Sequence, residues 1–159
     1  MKTILFVCTG NTCRSPMAEG ILKDLIKKSP HRDKNIEVKS AGILVYGKSG
    51  AHPNAKAVTK NMGIDISHHG SSQLTEDLVE KADLILTMTR SHKDQIIIVQ
   101  PEISHKVYTL LEFINEEGEA GAIDIADPFG LSRDDYEETA QELLYALERA
   151  LPKIIKEIF

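Results

Sequence analysis

Continuous apolar runs alternate with amphipathic stretches along the chain, and this alternation predicts strands that are each followed by helices. Residues 3–8 (TILFVC) are apolar almost throughout, as expected of a strand buried on both faces of a parallel sheet. Further strands are predicted at Ile36–Ala41, Leu84–Met88 and Val107–Leu110. Gly42 directly follows the second of these strands and is expected to end it.

Apolar residues at helical spacing predict the intervening helices. Pro16 suits the start of a helix, and Met17 to Lys28 continues with apolar residues on one face. The other predicted helices are Ala51–Met62, Thr75–Lys81 with Thr75 as N-cap, about Ser91–Val99, a short one ending near Glu116, and Asp134–Ile158. Pro152 is expected to kink the last helix or to split off its final turn. Residues 117–133 are expected to form a loop.

This order of elements predicts an α/β fold, a three-layer α/β/α sandwich around a four-stranded parallel sheet. No repeat or linker interrupts the sequence, so one domain is expected over residues 1–159. Ligands of open parallel sheets bind beyond the carboxyl ends of the strands. The loop after the first strand lies at that edge and therefore becomes the first candidate for a functional site.

Composition and charge narrow the possible functions. With 42% hydrophobic and 27% charged residues, the chain is not a disordered one. Its net charge of −5 argues against nucleic acid or an anionic membrane as a partner. No apolar stretch is long enough for a signal peptide or a membrane span, so a cytoplasmic protein with reduced thiols is expected. Cys8 and Cys13 match no usual zinc pattern, and neither a metal nor a cofactor is expected.

The loop after the first strand contains the pattern C-x5-R-S, from Cys8 to Ser15. Gly10 is expected to permit, and Asn11 to tolerate, the positive φ that lets backbone N–H groups converge on an anion. Arg14 adds a planar fork that can hold two phosphate oxygens. In this positive environment Cys8 is expected to be a thiolate to which Ser15 can donate a hydrogen bond. Each residue alone has an ordinary explanation, with Cys8 as a buried thiol, Arg14 as a surface cation and Gly10 as part of a routine turn. These explanations do not account for their joint placement between a strand and a helix.

The stretch VCTGNTCRSPMAE resembles the signature of the low-molecular-weight protein tyrosine phosphatase family. Segments that begin at Ser40, Ala82 and Asp127 follow in the order expected of that family, so the resemblance covers essentially the whole chain. It implies a cysteine-dependent protein phosphatase without a cofactor. In it, Cys8 forms a phosphocysteine, Arg14 clamps the phosphate, and Asp127 acts as general acid and then as general base.

The same resemblance assigns the remaining site residues. It implies that the substrate is bound by Thr9, Gly10, Asn11, Thr12, Cys13, Ser15 and Phe129. Asn11 and Ser15 would also shape the loop and stabilise the thiolate, with Ser40 supporting them from behind. For Asp127, a local Asp-Pro turn is the competing interpretation, and Asp124 is expected to face solvent.

Two positions bear on the choice of substrate. Tyrosine phosphatases of this family typically have a bulky apolar residue at the position of Thr12 and Tyr or Trp at that of Phe129. The combination of CTGNTCRS with DPFG resembles the bacterial protein-arginine phosphatase subgroup. A hydroxyl at Thr12 and a carboxylate at Asp127 suit a planar guanidinium, so phosphoarginine on proteins is the predicted substrate. Phosphotyrosine is the alternative substrate, and in that case Thr12 reflects neutral sequence drift at a permissive loop position.

Other functions and residues stay open at this point. An arsenate reductase would need redox cysteines beyond Cys13, and a module that only binds phosphoproteins would not need Cys8 and Asp127. Under oxidation Cys13 could form a disulfide with Cys8, or it could simply fill space.

Several polar residues outside the loop have no certain role. Either His68 or His69 could reach the network around Ser40, and Tyr46 could wall the cleft or pack on the surface. His52, His92 and His105 show no functional pattern. Phosphorylated proteins are the expected partners, and a monomer is expected.

Overall fold

Four parallel strands form the central sheet of the computed structural model, which describes residues 1–115 and 121–159. The strands are β1 (Lys2–Cys8), β2 (Ile36–Gly42), β3 (Leu84–Thr87) and β4 (Val107–Thr109). Their order in the sheet is β2-β1-β3-β4, so β1 is paired on both sides. This position explains why the first apolar run is uninterrupted.

Helices cover both faces of the sheet. In the described ranges they are α1 (Arg14–Lys27), α2 (Pro53–Asn61), α3 (Glu76–Lys81), α4 (Arg90–Val99), α5 (Leu110–Ile114) and α6 (Arg133–Ile158). Ile4 and Phe6 of β1 belong to a core shared with α1, α2, α5 and α6, whereas Leu5 and Val7 belong to a second core shared with α3 and α4. The predicted three-layer α/β/α sandwich is therefore confirmed.

Helix α1 begins at Arg14, two residues before the predicted start at Pro16. Proline is tolerated there because the first N–H groups of a helix have no intrahelical acceptor. The earlier start matters for the site, since Arg14 and Ser15 belong to the first turn of α1. The helix N-terminus, with its unpaired N–H groups, thus lies against the loop that follows β1.

Two further elements differ from the prediction. A 3-10 helix at Pro101–Lys106, which no sequence pattern predicted, leads into β4. Helix α6 runs from Arg133 to Ile158 with Pro152 inside it, so of the two effects predicted for Pro152 the separation of a last turn is wrong and the kink stays a prediction. Leu151 and Ile154 on either side of this proline are both buried, and their packing keeps the helix on the core. The predicted helix end near Glu116 lies outside the described residues.

No helix in the described part of the chain combines the length and the apolar character needed to cross a membrane.

Gly42, the last residue of β2, lies against the loop that follows β1. A Cβ atom at this position would be 2.6 Å from Thr9 O and 2.9 Å from Asn11 N. The next two residues donate backbone hydrogen bonds to the same loop, from Ile43 N to Cys8 O at 3.0 Å and from Leu44 N to Thr9 O at 2.9 Å. The absence of a side chain at Gly42 therefore lets the loop rest directly on the end of β2.

We predict that Gly42→Ala destabilises the protein by about 1–3 kcal/mol, the usual cost of overpacking, because the added methyl meets backbone rather than a flexible side chain. Urea unfolding measures the change. Gly70→Ala is the matched control, since a Cβ there has no neighbour within 4 Å, and its effect should stay within about 0.5 kcal/mol. Equal effects of the two substitutions would contradict the close approach at Gly42.

Candidate active site

The loop after β1 turns at Asn11, whose φ of 56° lies in the left-handed region. Asparagine tolerates this conformation better than most residues. Of the two residues expected to adopt a positive φ, Asn11 does so and Gly10 does not. The positive φ thus falls on the residue whose side chain is fixed by hydrogen bonds.

Three groups of one segment bind Asn11. Its carbonyl oxygen lies 2.9 Å from His69 Nε2 and accepts from Ser71 Oγ at 3.0 Å. Its side-chain oxygen Oδ1 accepts from the backbone N–H of Ser72 at 2.9 Å. Of the two histidines that the sequence left open, His69 is therefore the one that reaches the loop, and it contacts Asn11 rather than Ser40.

The Asn11 amide sets the direction of the hydrogen bonds around Cys8. Because Oδ1 is occupied by Ser72, the amide nitrogen faces the other way and donates to Ser15 Oγ at 2.8 Å and to Ser40 Oγ at 2.9 Å. Ser15 Oγ lies 2.9 Å from Cys8 Sγ. Since Ser15 already accepts from Asn11, its own proton is available for the sulfur. This direction suits a thiolate, which accepts and does not donate.

Two hydrogen bonds extend this arrangement. The backbone N–H of Asn11 points to Cys8 Sγ at 3.3 Å. Ser40 Oγ donates to Glu19 Oε1 at 2.9 Å, so the carboxylate of Glu19 leaves the Ser40 oxygen free to accept from Asn11. No sequence pattern pointed to Glu19, Ser71 or Ser72. Ser72 acts through its backbone, for which no side-chain signal exists in a sequence.

The side chain of Arg14 is 5% exposed and is fixed from one side. Its Nη1 donates to the carbonyl oxygen of Ile125 at 3.0 Å, and Ile125 N in turn donates to the carbonyl oxygen of Met88, which directly follows β3. Its Nη2 lies 3.6 Å from Asp127 Oδ2, in a side chain that is 50% exposed. Asp127 Oδ1 also accepts from Phe129 N at 3.1 Å. The structure thus brings the predicted phosphate clamp and the predicted acid to one place.

Asp124 is exposed, as predicted, and its carboxylate accepts from the backbone N–H of Arg90 at 2.8 Å. It therefore supports the start of α4.

A cleft of about 280 Å³ opens above Cys8. Its lining consists of Cys8, Thr9, Gly10, Thr12, Cys13, Arg14, Leu44, Tyr46, Ser49, Asp127 and Phe129. Tyr46 and Phe129, which are 82% and 65% exposed, stand at the rim, so Tyr46 does wall the cleft. Asn11, Ser15 and Ser40 are buried and do not line it. Their side chains support the loop from behind, and the substrate contact predicted for Asn11 and Ser15 stays a prediction.

Cys13 lies beneath this rim with its sulfur 3.3 Å from Tyr136 Oη and 3.6 Å from Thr12 Oγ1. Burial raises the pKa of the Cys13 thiol above its usual value, which favours the protonated form at neutral pH. Cys13 and Cys8 are both free thiols in this structure. The contacts of Cys13 favour a packing role, and the disulfide under oxidation stays a prediction.

His52 and His92, for which the sequence showed no functional pattern, both contact residues of the cleft. His52 stacks on the ring of Tyr136 and meets Phe129 edge-on. His92 is 4% exposed, and its Nε2 lies 2.9 Å from Thr9 Oγ1. A signal existed for His92, because the helix that follows β3 begins at the same sheet edge as the loop after β1. No comparable signal pointed to His52.

Burial, together with the nearby Arg14 cation, lowers the pKa of His92 to about 4 from the usual 6.5. The ring is therefore neutral at pH 7. Its Nδ1 atom is buried without a partner among the described residues. Next to the Arg14 cation, an unpaired lone pair on Nδ1 costs less free energy than an unpaired N–H there. This favours the tautomer in which Nδ1 has no proton and Nε2 donates to Thr9.

We predict that His92 makes the protein less stable as the pH falls. Below pH 6.5 the unfolded chain binds a proton at His92, whereas the folded chain, with a His92 pKa of about 4, does not. The contribution of the neutral His92 ring to the free energy of unfolding is fully present above pH 6.5. About 2 kcal/mol of this contribution is lost between pH 7 and pH 5. Urea unfolding at both pH values, in the wild type and in His92→Phe, measures the difference. An equal pH dependence of both proteins would contradict a neutral buried ring.

Proteins similar to this chain agree with the phosphate chemistry that the geometry of the site indicates. Residues 3–158 match the family described as low molecular weight phosphotyrosine protein phosphatase. A protein-arginine-phosphatase of Geobacillus stearothermophilus is 43% identical over 151 residues, which cover 95% of each chain. A probable low molecular weight protein-tyrosine-phosphatase, EpsP of Ralstonia nicotianae, is 37% identical over 97% of each chain.

A solved structure of YwlE arginine phosphatase also superposes on this chain. It is 39% identical, covers 98% of this chain and 97% of its own, and gives a TM-score of 0.85. That protein is a cysteine-to-serine mutant with a phosphorylated active-site serine, which fits phosphoryl transfer to the cysteine it replaces. From the family match over nearly all of its length, this chain belongs to the low molecular weight phosphotyrosine protein phosphatase family.

Proposed function

We propose that this protein is a protein-arginine phosphatase that transfers the phosphoryl group to Cys8 and then to water. The observation that carries the proposal is the convergence of the Cys8 sulfur, the Arg14 guanidinium and the Asp127 carboxylate on one cleft. The names of the similar proteins support the same activity, since both the 43% identical relative and the superposed structure are arginine phosphatases.

In the first step the Cys8 thiolate attacks phosphorus, with the hydrogen bond from Ser15 holding the sulfur in place. Arg14 and the N–H groups at the start of α1 bind the phosphoryl oxygens and stabilise the charge that builds up on them. As the P–N bond breaks, Asp127 donates its proton to the departing guanidine nitrogen. The products of this step are phosphocysteine and an unmodified arginine side chain.

In the second step the ionised Asp127 takes a proton from a water molecule, whose oxygen attacks phosphorus. The P–S bond breaks, inorganic phosphate leaves, and the Cys8 thiolate is restored. Asp127 is suited to both steps because it is half-exposed and is held from two sides, by Arg14 at 3.6 Å and by the Phe129 N–H at 3.1 Å.

Thr12 and Phe129 stand where they would meet the substrate side chain. A guanidinium only donates hydrogen bonds, so the Thr12 hydroxyl oxygen can accept from it. The Phe129 ring offers a flat apolar wall, and the carbonyl oxygen of the protonated Asp127 carboxyl group can also accept from a guanidinium N–H. A phenol ring has no such donors, which favours phosphoarginine over phosphotyrosine.

The partners that this proposal requires are phosphorylated proteins, and the expected form of the enzyme is a monomer. The nucleophile works only as a reduced thiol, so the cytoplasm is the compartment that we propose for it.

We predict that Cys8→Ser abolishes turnover of a phosphoarginine peptide and that Asp127→Asn lowers kcat about 10²–10⁴-fold, the usual contribution of a positioned acid. Release of inorganic phosphate measures both. Asp124→Asn is the matched control, because this carboxylate lies in the same loop but binds the Arg90 backbone instead. Turnover by Cys8→Ser at the wild-type rate would refute the phosphocysteine route.

We predict that Thr12→Ile shifts preference from phosphoarginine towards phosphotyrosine about 10–100-fold, since one or two pocket contacts discriminate by a few kcal/mol. The measurement is kcat/KM for both substrates in peptides of the same sequence. Thr12→Ser keeps the hydroxyl and should keep the ratio. If the ratio in Thr12→Ile equals that of the wild type, the hydroxyl does not select the substrate.

A further inference from the structure

His52 contacts both sides of the opening of the cleft. It lies directly before α2, and its backbone N–H donates to the carbonyl oxygen of Thr12 at 2.8 Å. Its ring meets that of Phe129 edge-on, with the ring centroids 6.0 Å apart and the planes at 80°. One residue thus touches the two positions to which the proposed function assigns the choice of substrate.

The ring of His52 is itself fixed from behind. It stacks on Tyr136 of α6 at 4.8 Å, with the planes at 21°. Tyr136 is fully buried, and its hydroxyl is 3.3 Å from the Cys13 sulfur. The stack therefore connects the rim of the cleft to a side chain that the core of the protein holds in place.

Phe129, in contrast to the buried Tyr136, is 65% exposed. An exposed ring on a loop has many accessible positions, and an edge-to-face contact with a fixed ring favours one of them. The Phe129 N–H also donates to Asp127 Oδ1 at 3.1 Å. A change in the placement of Phe129 is therefore passed on to Asp127, the proposed general acid.

We propose that His52 is a positioning residue for substrate selection. Its ring, backed by Tyr136, holds Phe129 at a set separation from Thr12 and so fixes the width of the opening through which the phosphorylated side chain reaches Cys8. The proposal rests on the proposed function for the identity of the preferred substrate. It adds that selectivity depends on an aromatic ring that does not line the cleft.

His52 also has a structural contact, and two substitutions separate it from the proposed role. The Nδ1 atom of His52 accepts from Asn54 N at 3.1 Å and caps α2. His52→Asn supplies a favourable N-cap but no ring. His52→Phe supplies a ring for the contacts with Tyr136 and Phe129 but no cap acceptor.

The test measures kcat/KM on phosphoarginine and phosphotyrosine peptides of one sequence, together with the melting temperature of each variant. In His52→Asn we expect the ratio of the two values to change by about 3–10-fold, the size that one aromatic pair supports, at a melting temperature near that of the wild type. In His52→Phe we expect the wild-type ratio and a lower melting temperature.

An unchanged ratio in His52→Asn would overturn the proposal. So would a ratio that changes in His52→Phe but not in His52→Asn, because that result would make the helix cap responsible. The proposed function fails separately, if the wild-type protein itself prefers phosphotyrosine. The role of His52 would still be supported in that case by a ratio that changes in His52→Asn and not in His52→Phe.

Discussion

The hydrogen bond from the backbone of Ser72 to the side-chain oxygen of Asn11 is the interaction on which the site depends. It leaves the amide nitrogen with one possible direction, towards Ser15 and Ser40. Ser15 must then turn its proton to Cys8. The side-chain amide of Asn11 thus ensures that the Cys8 sulfur receives a hydrogen bond, although its backbone partner Ser72 is 61 residues away in sequence. A reversed amide would take a proton from Ser15 and leave the thiolate with one donor fewer.

The fold makes this arrangement possible by bringing distant segments to one edge of the sheet. Because β1 is paired with both β2 and β3, the loop after it lies between the ends of two other strands. On one side Gly42 admits the loop backbone, and on the other Ile125 binds to the end of β3 and presents its carbonyl to Arg14. The clamp and the acid therefore come from separate parts of the chain, yet each is tied to the sheet.

The sequence predicted those parts of the fold and site that local patterns encode. The strands were predictable because each is a short apolar run, and the loop because Cys8 and Arg14 have a fixed spacing between a strand and a helix. The contacts of His52 were not predictable, since its partner Tyr136 is more than 80 residues away in sequence. The start of α1 lies two residues before the predicted one, because a helix accepts proline anywhere in its first turn and Pro16 does not mark its first residue.

Capture of the phosphoryl group by Cys8 is the decisive step of the proposed reaction, and trapping the phosphocysteine tests it. The wild-type protein is mixed with a phosphoarginine peptide and quenched within one turnover, and its digest is analysed by mass spectrometry. A phosphate is expected on the peptide that contains Cys8, formed as fast as the dephosphorylated substrate peptide appears. Appearance of the dephosphorylated peptide without any phosphate on Cys8, or with phosphate on another residue, would contradict this route.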